Sequence, residues 1–217
     1  MQDTIRRMIF YFSGIIILTF GIALTIQSKL GTSPFDALLV GLFRTFGLTV
    51  GSWEIVVGLT MILCNALAEK RRPEYLALLT SLITGVSIDG WLFAIDEWAV
   101  PETLLTQSIC LGIGIVFSAL GIAVNLQADF APNPFDRSML VVRNLTGWNV
   151  SVSRAVISIV LVLLAAMFNG AIGVGTIIIT FISGVLIHLF TPYVARANQF
   201  FANRHGYTKR LGHNKIF

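Results

Sequence analysis

Two short polar boxes interrupt an otherwise apolar chain: Ser33-Pro34-Phe35-Asp36 and Asn133-Pro134-Phe135-Asp136. Each is written as a helix start. Ser33 or Asn133 can accept a hydrogen bond from a first-turn N–H, and proline suits the first helical position because an N–H there would go unpaired. Asp36 and Asp136 face the positive end of the helix dipole. Such a terminus offers free N–H groups, and with Gln27 and Gln127 just ahead of the boxes it could hold a polar solute or an ion. The two carboxylates could bind a cation or carry a proton, because an acid inside a membrane is a functional candidate by default. A plainer reading explains the same residues: each Asp caps its own short helix, and the box is a structural wedge.

The elements around these boxes are set by composition. Of 217 residues 55% are hydrophobic and only 12% charged, with a mean hydropathy of +0.81. A soluble chain carries about 25% charged residues, so a disordered chain, a nucleic-acid module and an ordinary cytosolic enzyme are all disfavoured. The pattern is that of an all-α polytopic membrane protein. A helix needs about 20 apolar residues to cross the hydrocarbon core. Runs of that kind are expected at 8–28, 51–68, 75–95 and 103–128. A further stretch between Arg154 and Arg196 is long enough for two crossings that turn at Phe168–Gly173. The first run, preceded by Arg6 and Arg7, shares features with a signal peptide but is too long for one.

The chain is internally duplicated at an offset of 100. GIALTIQSKLGTSPFD (21–36) and GIAVNLQADFAPNPFD (121–136) agree without a gap at Gly21/Gly121, Ile22/Ile122, Ala23/Ala123, Gln27/Gln127, Pro34/Pro134, Phe35/Phe135 and Asp36/Asp136, and the register continues to Gly47/Gly147 and Val50/Val150. We therefore divide the chain into a first membrane repeat, 1–99, a second, 100–195, together one membrane domain, and a basic tail, 196–217. Each repeat holds three spans and one doubtful segment, Pro34–Phe46 or Pro134–Thr146. Thirteen residues reach only about 20 Å as a helix, and Arg137 and Arg143 would be costly in lipid. Charge bias settles the count. Arg6-Arg7 and Lys70-Arg71-Arg72 should both be cytoplasmic, which requires an even number of crossings between them, so the doubtful segments do not cross. The acidic connector Asp96, Glu97, Glu102 is then outside and both termini are inside, with all of the 15 basic residues except Lys29 and Arg44 on the cytoplasmic face. The expected fold is two inverted repeats, each three transmembrane helices plus one short re-entrant or half-length helix.

The remaining polar positions carry weaker signals. Glu54 and Arg154 occupy equivalent positions at the starts of their spans and read as interfacial anchors. Asp89 and His188, near the ends of the third spans, could form a proton relay or simply reach the interface. Gly14, Gly21, Gly112, Gly114 and Gly121 suit close packing between helices. Enzyme chemistry has little to stand on. There is no His-Glu-x-x-His, no Gly-x-Ser-x-Gly and no phosphate loop, and Cys64 and Cys110 lie singly in apolar runs. No catalytic residue, metal site or cofactor is expected.

Leu30-Gly31-Thr32-Ser33-Pro34-Phe35-Asp36, followed by Gly47-Leu48-Thr49-Val50-Gly51, resembles the YczE-like bacterial membrane proteins related to the YitT group, over residues of about 8–195. The resemblance implies a multi-pass protein of the bacterial cytoplasmic membrane, on the shorter YczE-like branch. It brings no substrate or catalytic residues, since that family is largely uncharacterised. The second box departs from the pattern, with Ala131-Pro132-Asn133 in place of Gly31-Thr32-Ser33. The expected partners are the lipid bilayer and a small polar solute or ion, not nucleic acid, and a homodimer is left open. The leading expectation is a small transporter or channel with a midplane site at the two Pro-Phe-Asp boxes. The alternative is a non-transporting scaffold or accessory protein of another membrane or biosynthetic system.

Overall fold

The computed structural model describes residues 2–95, 101–128, 130 and 133–204. α1 (Gln2–Gln27), a short α2 (Pro34–Phe46), α3 (Val50–Glu69) and α4 (Tyr75–Ile95) are followed in the same order by α5 (Leu104–Leu126), a short α6 (Pro134–Thr146), α7 (Val150–Met167) and α8 (Val174–Arg204). No strand occurs among the described residues. All but α2 and α6 are long and apolar enough to cross a membrane. Their outward faces are apolar, as on α8 at Ile177, Phe181 and Val185, which suits lipid rather than water as solvent. The chain is an all-helical, multi-pass membrane protein. α8 runs through 196–204, so the stretch read as a tail begins as helix. Residues 205–217, Asp96 and Glu97 of the acidic connector, and 129, 131 and 132 ahead of the second box lie outside the described residues.

The helix ends follow the side chains. Ser33 caps α2, its Oγ accepting from the Asp36 N–H at 3.2 Å, with Pro34 in the first turn. Asn133 caps α6 through Oδ1, which accepts from the Phe135 N–H at 3.0 Å. Thr49 and Asn149 cap α3 and α7 at equivalent positions, and Gly47 and Gly147 end the two short helices. The link from α1 to α2 passes through Gly31 at φ 106°, where an added Cβ would lie 2.6 Å from the Gly173 nitrogen. Only glycine fits there, for backbone shape and for space.

α1 and α5 form the central pair. A Cβ on Gly14 would meet Asn125, one on Gly21 would strike Ser118, one on Gly114 would meet Thr25, and one on Gly121 would strike Leu18. Higher numbers on α1 face lower numbers on α5, so the two helices are antiparallel. The contacts are also reciprocal, because 14–125 maps onto 114–25 and 21–118 onto 121–18 under the offset of 100. Apolar burial gives helices little reason to associate in lipid, and close van der Waals approach at small residues supplies it instead.

The rest follows the same exchange. α4 packs on α1 as α8 packs on α5; α2 packs on α7 as α6 packs on α3. One contact has no counterpart. α3 and α4 pack along each other through Gly51 against Gly85 and Gly58 against Ser81, whereas α7 and α8 make almost no contact among the described residues. The main apolar cluster gathers around α2, with Phe35, Leu38, Leu39 and Leu42 against Ile22, Val50, Ile88, Leu161 and Ala165.

Candidate functional site

The two boxes meet. The Phe35 and Phe135 rings, equivalent in the duplication, lie 6.1 Å apart between centroids, so the N-termini of α2 and α6 approach each other in the protein interior. Pro134 reaches α3, its ring 3.6 Å from where a Cβ on Gly58 would stand. Around this junction the two halves place different charges. Asp36 is 6% exposed, and its Oδ2 accepts a 2.5 Å hydrogen bond from Ser33 Oγ. Asp136 is half-buried and interacts electrostatically with Arg154, whose guanidinium lies 5.9 Å from the centre of the Phe135 ring, within cation–π range.

The counterpart of Arg154 is Glu54, one turn into α3. It was expected at the interface; instead it is 1% exposed, its Oε1 has no hydrogen-bond partner, and Asp36 acts on it electrostatically. Its neighbours on the same face of α3, Gly51 and Gly58, let α4 approach closely and carry Glu54 into the packed interior. That spacing was the available signal, since an acid flanked by glycines three and four residues away lies on a packing face rather than an outer one. Ser81 of α4, whose Oγ faces Gly58, is fully buried and likewise without a partner.

The other candidates are scattered. Gln27 and Gln127 are half-buried at the C-terminal ends of α1 and α5. Asp89 serves α3: Oδ1 accepts from the Gly51 N–H at 2.8 Å and Oδ2 from Thr49 Oγ1 at 2.6 Å. His188 is exposed on α8. Among the described residues no three His, Cys, Asp or Glu side chains cluster as metal ligands. The chemistry within reach of the box junction is that of two buried acids, an Arg–Asp pair and two capped helix N-termini.

Each short helix is also tied to a distant turn. Arg44 Nη1 donates to the Asn169 carbonyl at 2.9 Å and Thr45 Oγ1 to the Phe168 carbonyl at 3.0 Å, holding α2 on the α7–α8 turn. On the other side Asn144 Nδ2 donates to Glu69 at 3.4 Å, and Arg137 bridges Glu69 at 2.8 Å and Glu74 at 2.9 Å, holding α6 on the α3–α4 turn.

A bundle of six membrane-length helices with two short helices packed among them defines a multi-pass membrane protein. The chain belongs to the family of unknown function DUF6198, whose model matches residues 5–192. It is 44% identical to the uncharacterized protein YyaS of Bacillus subtilis (strain 168) over 93% of this chain and 100% of that one. It is 35% identical to the uncharacterized membrane protein YczE of the same organism over 88% of each, and 24% identical to an uncharacterized protein of Haemophilus influenzae over 83% of this chain and 81% of that one. The resemblance to the YczE-like proteins is thereby shown. No solved structure matches the chain.

Proposed function

We propose that the protein is a small inverted-repeat transporter or channel of the bacterial cytoplasmic membrane, not an enzyme, and that it passes a small polar solute or ion through a midplane site at the two Pro-Phe-Asp boxes. The observation that carries this reading is the antiparallel, reciprocal contact of α1 and α5 together with the 6.1 Å approach of Phe35 and Phe135. Equivalent helices that run antiparallel with exchanged contacts are related by a two-fold axis perpendicular to them, which in a bilayer lies in the membrane plane. Irregular backbone and helix ends at that depth need either burial or a wet cavity, and transporters use the second option. Both termini are cytoplasmic in this reading. The full chain in liposomes, loaded with a panel of ions and small polar solutes, should show flux that falls at least tenfold in Asp36→Asn with Asp136→Asn; absence of flux and of binding across the panel removes the proposal.

A non-transporting scaffold is the second reading, favoured by the Ser33–Asp36 bond, which gives that carboxylate a complete structural task. A scaffold would copurify with a partner and keep its cellular role in the double Asp→Asn variant.

A further inference from the structure

Glu54 presents an electrostatic problem that the protein leaves unsolved. Its carboxyl is 1% exposed, Oε1 has no hydrogen-bond partner, and the charge acting on it, that of Asp36, has the same sign. Arg154, its counterpart in the duplication, lies on Phe135 and acts on Asp136, and Arg44 of α2 donates to Asn169. Burying an acid in this way is strongly unfavourable unless something neutralises and coordinates it. A proton removes the charge but brings no donor to Oε1, which stays buried without a hydrogen-bond partner. Ser81 Oγ, a second buried oxygen without a partner, projects from α4 onto Gly58, one turn along the same face of α3.

We infer that Glu54 is the anchor of a binding site for a small monovalent metal cation of the Na⁺ class, completed by Asp36 and Ser81. Such an ion takes oxygen ligands, cancels one carboxylate and satisfies both orphan oxygens at once. Two acids are too few for a dedicated Ca²⁺ cage, which draws on more oxygen donors. The second half cannot form the same site, since Arg154 stands where Glu54 would be. The inference deepens the proposed transport reading by naming a coupling or structural ion, yet it concerns binding and is tested without flux.

The test is thermal unfolding of the purified full chain in detergent, with NaCl, LiCl, KCl or choline chloride at one ionic strength and at two pH values. Saturating Na⁺ or Li⁺ should raise the wild-type Tm by about 4 °C over choline. Glu54→Gln, nearly isosteric and neutral, should melt at one temperature in every salt. Ser81→Ala, which keeps the charge, should retain the response but need at least fivefold more Na⁺. A wild-type Tm indifferent to the metal ion, a dependence on pH alone, or an undiminished Na⁺ response in Glu54→Gln overturns the inference. An intact Na⁺ response with no flux in liposomes would sink the transport reading and leave this site standing.

Discussion

The two halves of the chain share one plan and solve its details with opposite materials. In the first, α2 is buried along Pro34–Leu42 and seated on the α7–α8 turn by backbone contact, Gly41 on Gly170 and Gly31 on Gly173. In the second, α6 buries Pro134, Ser138 and Val141, and is held on the α3–α4 turn by the Arg137–Glu69–Glu74 cluster. The first half carries two acids beside the box junction, the second an acid and an arginine. The α1–α5 seam is nearly symmetric in its glycines, because each glycine there meets the facing helix at close range and admits no larger residue. The two latches also join the halves, yet they use backbone contact on one side and ion pairs on the other.

That comparison can be broken most sharply by topology. Leu48 and Trp148 follow the two short helices and are both exposed. With Cys64 and Cys110 removed, single cysteines at 48 and 148 should be labelled by an impermeant thiol reagent from opposite faces of the membrane, 48 outside and 148 inside. Labelling of both from one face would end the inverted arrangement. Next in size is the seam. Gly21→Val and Gly121→Val each push a side chain into backbone of the facing helix, where relief requires the helices to part, so each should lose about 3 kcal/mol or fail to accumulate. Gly112→Val, whose Cβ would meet nothing within 4 Å, should accumulate as wild type in the same membrane fractionation. The smallest effect separates the two latches. Arg137→Ala breaks a half-buried pairing with two carboxylates and should cost about 1 kcal/mol, less at high salt. Arg44→Ala loses an exposed bond to a carbonyl and should cost about half that, with little salt dependence. Melting curves of the two variants at low and high salt read the difference.

Much of the plan was legible in the chain. The six long helices fall where apolar runs of bilayer length predicted them, the two 13-residue helices begin at their Pro-Phe-Asp boxes, and Phe168–Gly173 is the turn. These are local consequences of hydropathy and of capping chemistry, both readable from adjacent residues. Glu54 and Asp89 were not legible. Both are acids near the end of a span; Gly51 and Gly58 mark a packing face at Glu54, but adjacent residues do not say what either carboxyl meets there. Tertiary packing separates them: Asp89 caps the N-terminus of α3, while Glu54 faces inward at the Gly51–Gly58 approach with no partner for Oε1.

The sequence by itself determined the solvent, the lengths of the helices and the matched residues at an offset of 100, because each is written in composition, local periodicity or identity at a fixed offset. Only the tertiary structure decided which surfaces meet: that α1 and α5 cross antiparallel at four glycines, that the two box phenylalanines come together, and that one acid of the pair Glu54 and Asp89 is left without compensation. Burial and pairing depend on side chains distant in the chain, and the free energy of a charge depends on what surrounds it rather than on what precedes it.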